Sequence, residues 1–333
     1  MLAHLGRVYI RRANLDLGKG AIARGRSVFG ICHWHKLQTT AVTEFGTRHK
    51  IQFPDKIQRY IFYFGVWEPA ITAFIRASLA PGDTFVDIGA NIGYHTCLAA
   101  KLVGPSGAVY AIEASPSIYE LLLENVKLNE LDNVHTYNNA VFDKEERMRL
   151  FSGKDRNIGR ANLMKERSAG VVEEVDAMPL HQLIDLETLF NARLVKIDVE
   201  GAEWFVIKGI SEHLNHFSPS TEWLVEVNQS ALREHGANIH EFVDLFTAAG
   251  YNMYAIDNGY DAGWYVRHRH RYMGQPVHAL VHAPPSGKKS QFDALFTKRS
   301  YGKSERAPVR TRAPEETRGR HAPASPDDAL TIR

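Results

Sequence analysis

Thr84-Phe-Val-Asp-Ile-Gly-Ala-Asn-Ile-Gly93 decides the fold. Its first five residues form a short, largely apolar run closed by Gly89, and a helical pattern follows over 93–103. A second continuous run, Ala108-Val-Tyr-Ala-Ile112, comes next. Continuous apolar runs, rather than in-out alternation, are what strands covered on both faces need. Outward from this pair, a helix is predicted over roughly 116–129, with Ser117 and Glu120 at capping-box spacing and Ile118, Leu122 and Val126 at i, i+4. Val134–Tyr137, Arg193–Ile197 and Trp223–Val227 read as further strands, with helices after Gly201 and after Asn238. A last pair of strands is predicted near Tyr251–Ile256 and Trp264–His268. Strand and helix in this order give a doubly wound, mostly parallel α/β sheet, because right-handed crossovers leave few alternatives.

The chain has 333 residues, 44% hydrophobic and 23% charged, which excludes collagen-like, coiled-coil and wholly disordered classes. Its net charge of +2 conceals three unlike parts: +6 over 1–36, −9 over 37–284 and +5 over 285–333. Leu2, Leu5, Val8 and Tyr9 beside Arg7, Arg11 and Arg12 suit either an anionic membrane surface or packing against the domain itself. Short β-branched and aromatic runs from Ile31 to Ile61, split by Gly46 and Pro54, suggest a hairpin framing a pocket. The stretch 286–333 carries too few apolar residues to offset its ordering entropy and is expected to be a disordered basic tail. The expected divisions are therefore 1–64, a basic segment and β-rich extension; 65–285, the main α/β domain; and 286–333, the tail. Cys32 and Cys97 form no Cys-x-x-Cys pair, so neither a disulfide framework nor a thiolate zinc site is expected. Without an apolar run of about 18 residues or a secretory signal, the expectation is a cytoplasmic, non-spanning protein.

In open α/β sheets, ligands bind beyond the carboxyl ends of the strands where strand order reverses. There Gly89 and Gly93 let the backbone turn and a ligand approach, and the following helix N-terminus offers free N–H groups to an anion. Asp87 adds a negative charge that suits a cation better than a pyrophosphate, and the loop lacks the third glycine of a nicotinamide site. Glu113 ends the second strand, where a carboxylate accepts both ribose hydroxyls of an adenosine. Val195-Lys-Ile-Asp-Val-Glu-Gly-Ala-Glu203 brings Asp198, Glu200 and Glu203 to the same rim, with Glu226 and Asn228 on the next strand. Such a gathering supplies a general base or a Mg²⁺ ligand set. The plainer alternative is that Glu200, Glu203 or Glu226 caps a helix or pairs with Lys196 or Lys208. His95 reads chiefly as a cofactor-side packing residue. His33-x-His35 and Arg267-His-Arg-His-Arg271 read as basic edge strands or loops, and no metal site is assigned to them. Trp67, Trp204, Trp223 and Trp264 read as core or pocket wall, and Trp34 as packing or a sugar platform.

Gly65-Val-Trp-Glu-Pro69, the run from Pro81 to Thr96, Glu113-Ala-Ser-Pro116, Asn139-Ala-Val141 and the run from Val195 to Glu203 resemble, in order and spacing, the FkbM family of S-adenosylmethionine-dependent methyltransferases. The resemblance covers about residues 60–257. It implies a Rossmann-like class I methyltransferase with a seven-stranded, mostly parallel sheet, helices on both faces and the last strand antiparallel. It implies that Asp87, Gly89, Ala90, Asn91 and Gly93 lie beside the methionine part of S-adenosyl-L-methionine. It places Glu113 and Ala114 at the ribose, Asn139, Ala140 and Val141 at the adenine, and Asp198 facing the methyl. Families of this type methylate hydroxyls of sugars, glycolipids, polyketides or related small molecules. A base among Asp198, Glu200 and Glu226, with His95 as an outsider, would remove the hydroxyl proton, worth about 10²–10⁴-fold. Weighed against this are a nucleic-acid methyltransferase, disfavoured because the acids after the fourth strand repel a phosphate backbone, and a non-catalytic S-adenosylmethionine-binding module. No nucleic-acid partner is expected, and the basic ends suit peripheral contact with an inner-membrane surface.

Overall fold

A computed structural model describes Arg7, Arg11 and residues 38–53, 55–152, 161–162, 172–273, 280–281 and 291–300. In chain order the elements begin with a hairpin of β1 (Gln38–Val42) and β2 (Arg48–Gln52), then α1 (Lys56–Phe64) and α2 (Pro69–Ser78). The βα units follow: β3 (Thr84–Ile88), α3 (Tyr94–Val103), β4 (Ala108–Ile112), α4 (Pro116–Leu128) and β5 (Val134–Tyr137). A smaller sheet comes next, of β6 (Ala140–Val141), β7 (Glu146–Ser152), β8 (Ala161–Asn162) and β9 (Val172–Met178). After two short helices come β10 (Leu194–Ile197), α5 (Glu203–Ile210), β11 (Glu222–Asn228), α6 (Gln229–Glu234) and α7 (Ile239–Ala248). The last elements are β12 (Asn252–Ile256), α8 (Ala262–Met273), β13 (Leu280–Val281) and β14 (Gln291–Thr297).

The main sheet runs β12-β14-β11-β10-β3-β4-β5, seven strands, with the two-residue β13 added at the β12 edge. β11, β10, β3, β4 and β5 are parallel, whereas β14 lies antiparallel between β11 and β12. A seven-stranded, mostly parallel sheet with its last strand antiparallel is what the sequence leads one to expect. Strand alternation feeds a separate apolar layer on each face. Val86, Ile88, Val195 and Ile197 join one cluster, with Val206 and Phe242 of α5 and α7. Phe85 and Leu194 join the other, with Phe74 of α2 and Leu98 of α3. Strand order reverses beside β3, so β3 and β10 leave the sheet side by side at their carboxyl ends.

Four expectations need correction. Residues 291–297 are not tail: they form the buried strand β14, with Phe292, Ala294, Leu295 and Phe296 in the core. A composition averaged over 49 residues diluted that one apolar run, and the domain therefore extends past 285. The region 264–268 is helical, within α8, where the Asp261 carboxylate accepts from the Trp264 N–H. Alternating His and Arg mimicked a strand's period there. The hairpin ends at Gln52, and the aromatic run 56–64 is α1, started by Asp55 accepting from the Gln58 N–H. The helix over 116–128 is capped by Ser115 with Pro116 in its first turn, rather than by Ser117. The expectations for Cys32, His33, Trp34, His35 and most of both basic ends fall outside the described residues. No helix among the described residues is long and apolar enough to cross a membrane.

Candidate active site

A cleft with about 1000 Å³ of atom-free space, part of it open to solvent, lies over the carboxyl ends of β3, β4 and β10. One half is built largely by local backbone. Gly89 takes φ +80°, and a Cβ there would stand 1.9 Å from the Asp198 carbonyl oxygen, so only glycine lets the β3 loop lie against the β10 loop. The N–H groups of Gly89 and Ala90 both donate to the Ile112 carbonyl, tying the loop to β4. Glu113 then fixes the loop from its far side: Oε2 accepts from the Asn91 N–H at 2.8 Å and Oε1 from the Ser115 N–H at 2.9 Å. Burial pushes the Glu113 carboxyl up to about 7, against the opposing pull of those two amides. Ile112, Ala114, Ile118, Asn139, Ala140, Val141 and Leu150 complete a flat, mostly apolar wall.

The second half is built from distant side chains. Lys56, Ile57, Trp67, Glu68, Asp198, Val199, Glu200, Glu226 and Tyr260 line it. Lys196 is buried inside β10, and its Nζ meets Asp198 Oδ2 at 2.9 Å. Burial disfavours the Lys196 charge, but Asp198, Asp87 and Glu68 outweigh it and keep the ammonium protonated beyond its ordinary range. Burial raises the Glu226 carboxyl well above the usual carboxylate range, and repulsion from Asp198, Asp293, Glu200 and Glu68 adds to this. The Tyr260 hydroxyl lies 3.1 Å from Glu226 Oε1 and 2.9 Å from Asp293 Oδ2. One hydroxyl proton serves one acceptor at a time, so the trio is satisfied when one of the two acids carries a proton. Burial lifts Asp293 too, while Asn258 and Tyr260 hold it down.

The sequence-predicted residues divide accordingly. Gly89, Asn91, Glu113, Ala114, Asn139, Ala140, Val141, Asp198, Glu200 and Glu226 all line the cleft. Ala90 and Gly93 are not among its lining residues. Asp87 sits behind the loop, 1% exposed, with Oδ2 accepting from the Thr96 hydroxyl at 2.6 Å and Oδ1 buried without a hydrogen-bond partner. Burial raises its carboxyl as well. Glu203 is not among the lining residues either: its Oε1 accepts from the Gly201 N–H in the loop before α5, a helix that carries no side-chain cap. Lys208 pairs with Asp143 instead of a rim acid, and Asn228 caps α6. His95 is buried, kept uncharged by that burial and by Lys196. Sequence reasoning missed Tyr260 and Asp293 and left Glu68 without a role.

The residues fit S-adenosylmethionine: a glycine loop held against β10 at the cleft wall, a carboxylate for a ribose, an apolar wall for an adenine, and an acid-rich end for a cation. Fold and site together define a class I methyltransferase domain. Residues 87–253 match the Methyltransferase FkbM domain, and the chain belongs to that family. The arsenite methyltransferase of Halobacterium salinarum is 40% identical over 58 residues, 17% of this chain and 15% of that protein. Methyltransferase sdnD of Sordaria araneosa is 31% identical over 168 residues, 41% of this chain and 63% of that protein. The chain thus spans less than two thirds of either relative's length. Among solved structures, a SAM-dependent O-methyltransferase of Thermotoga maritima aligns with 80% of this chain and 79% of its own, at 14% identity and a TM-score of 0.37.

Proposed function

We propose that the protein transfers the methyl group of S-adenosylmethionine to a hydroxyl oxygen of a sugar, glycolipid, polyketide or similar small molecule, with Glu226 as the general base. The observation that carries this reading is the continuity of one cleft from the Glu113 end to the buried Glu226–Tyr260 pair. S-adenosylmethionine supplies an activated methyl, so the chain's own task is to bind, align and take up the hydroxyl proton. A base works best when its pKa lies near the working pH, and Glu226 is raised toward that range by burial and by the acids around it. Asp198 is already engaged, its Oδ2 held by the Lys196 ammonium at 2.9 Å. The acid rim favours neutral or cationic acceptors over phosphates.

The test is a labelled-methyl transfer screen over cell-envelope glycan, glycolipid and polyketide fractions, repeated for Glu226→Gln. The expected result is a labelled ether and a fall in turnover of about 10²–10⁴-fold in the variant, with cofactor affinity retained. Full turnover in Glu226→Gln removes it as base, and label appearing only in nucleic acid replaces the acceptor class. An EDTA arm addresses Mg²⁺, since Asp198, Glu200 and Glu226 each offer an oxygen within 4.8 Å of the others. Transfer that survives EDTA leaves these carboxylates to proton transfer and positioning alone.

A further inference from the structure

Glu68 is the one residue of the Trp67-Glu68-Pro69 corner that faces the site with a charge, and its backbone is held in a costly conformation to do so. It adopts φ 44°, ψ 71°, in the left-handed region that a non-glycine residue enters at a cost of about 1–3 kcal/mol. Pro69 follows, which already bars the right-handed helical alternative. Three hydrogen bonds hold the corner in place. The Glu68 N–H donates to the Tyr265 hydroxyl at 2.8 Å, the Glu68 carbonyl accepts from the Thr72 N–H at 2.8 Å, and the Thr72 hydroxyl donates to the Trp67 carbonyl at 2.6 Å. The carboxylate is 3% exposed and lines both the cleft and a smaller space of about 220 Å³ beneath it, shared with Lys196, Asp198, Glu226 and Asp293.

Its neighbours fix its place along the cleft. Oε2 stands 4.0 Å from Nε2 of His95, in the first turn of α3 after the glycine loop, and Asp198 lies on its other side at the end of β10. Gly89 brings that loop into contact with the Asp198 carbonyl. Glu68 therefore borders the seam between the Glu113 half of the cleft and the acid half. His95 is held uncharged by burial, and the Lys196 ammonium makes its close contact with Asp198 at 2.9 Å. Burial, with repulsion from Asp198 and Asp293, raises the Glu68 carboxyl well above its ordinary range, while Lys196 and a Tyr260 hydrogen bond pull the other way. A cation entering the cleft therefore favours the ionised carboxylate.

We propose that Glu68 selects the charged form of the cofactor, its carboxylate facing the sulfonium of S-adenosylmethionine and so favouring the methyl donor over the uncharged thioether of S-adenosylhomocysteine. This rests on the cleft being the S-adenosylmethionine site. The sulfonium charge is present in the bound donor and disappears on transfer, so Glu68 acts on donor retention and product release more than on the rate of the methyl step.

The test is isothermal titration of the full-length protein with S-adenosylmethionine and with S-adenosylhomocysteine, in wild type, Glu68→Gln and Glu68→Asp. The expected result for Glu68→Gln is a loss of about tenfold or more in donor affinity, about 1.4 kcal/mol, with product affinity within twofold of wild type. Glu68→Asp, which withdraws the charge by one methylene, should show a smaller shift of the same ratio. Unchanged product affinity also reports an intact fold. An unchanged donor-to-product ratio in Glu68→Gln, whether both affinities hold or both fall together, overturns the assignment. If Glu68→Gln does not fold, the ratio in Glu68→Asp decides by the same criterion. Failure of wild type to bind either compound would instead overturn the cofactor site itself.

Discussion

The two halves of the cleft hold their carboxylates in opposite ways. In the cofactor half, Glu113 receives two backbone N–H groups from residues 22 positions before it and 2 after it, and the β3 and β4 ends present it as a consequence of strand register. In the acid half, Glu68, Asp198, Glu226, Tyr260 and Asp293 come from five separate segments, and their mutual hydrogen bonds and charges set the geometry. The first half is a property of one βαβ unit, whereas the second is a property of the whole sheet. On the proposed function, the first half would hold the cofactor and the second the acceptor, so substitutions in the second half should leave the β3 loop undisturbed.

The largest effect should come from breaking the constant half at its backbone. Gly89→Ala places a methyl group 1.9 Å from the Asp198 carbonyl oxygen at φ +80°. The strained conformation and the overpacking each cost about 1–3 kcal/mol. Denaturant unfolding should show a loss of about 2–6 kcal/mol, with S-adenosylmethionine binding abolished in the fraction that folds. Because the clash falls on the β10 loop, this substitution also moves Asp198, the point where the halves touch. Wild-type stability and affinity would show that the loop has slack to separate from β10.

Glu113→Gln sharpens the comparison within the cofactor half. The amide keeps one oxygen for a backbone N–H but places an NH₂ beside the other donor and removes the charged acceptor for a ribose diol. Charge-assisted hydrogen bonds are worth about 1.5–3 kcal/mol each, so cofactor affinity should fall by about 10²-fold in titration calorimetry, equally for donor and product. That equality separates Glu113, which would hold the adenosine, from a residue that senses the sulfur. A loss confined to the donor would mean that the carboxylate faces the methionine end.

The difference between the halves also explains how much the sequence disclosed. The β3 loop and Glu113 were legible because their pattern is local: an apolar strand, a glycine at its end, and an acid at the next strand end. That the glycine makes room for the distant β10 loop was not legible. Asp198, Glu200 and Glu226 were legible as strand-end acids, and the structure gathers all three. Tyr260 and Asp293 were not, because their meaning depends on α8 and β14. Arg267-His-Arg-His-Arg271 carries a period-two pattern that reads as strand, yet the Asp261 cap and the packing of Tyr265 and Tyr272 impose a helix. Phe292-Asp-Ala-Leu-Phe-Thr297 is a good strand in a charged neighbourhood, and only pairing on both sides with β11 and β12 gives Asp293 its place. Glu203 fails differently: its position on the rim was inferred correctly, but its side chain folds back onto the Gly201 N–H.

An effect on stability rather than on binding should appear at that residue, in the first turn of α5. Glu203 is 1% exposed, its Oε2 has no hydrogen-bond partner, and burial pushes its carboxyl up to about 8. In the unfolded chain a glutamate titrates near 4.3. The stabilising contribution of the neutral form is therefore complete below about pH 4.3 and is lost as pH rises through about 8, because the unfolded chain releases this proton first. Glu113, Glu68, Glu226, Asp293 and Asp87 are raised in the same direction and steepen the decline. Cofactor-free protein should consequently lose thermal stability from pH 5 to pH 8. Glu203→Gln keeps an oxygen for the Gly201 N–H and cannot ionise, so its decline should be shallower. The advantage of the variant should be largest at pH 8, read as a higher Tm than wild type, and should vanish near pH 4. Melting curves of the two proteins at four pH values suffice to measure it. Parallel curves would mean that water reaches the Glu203 carboxylate, and that the acid half is wetter at its base than its packing indicates.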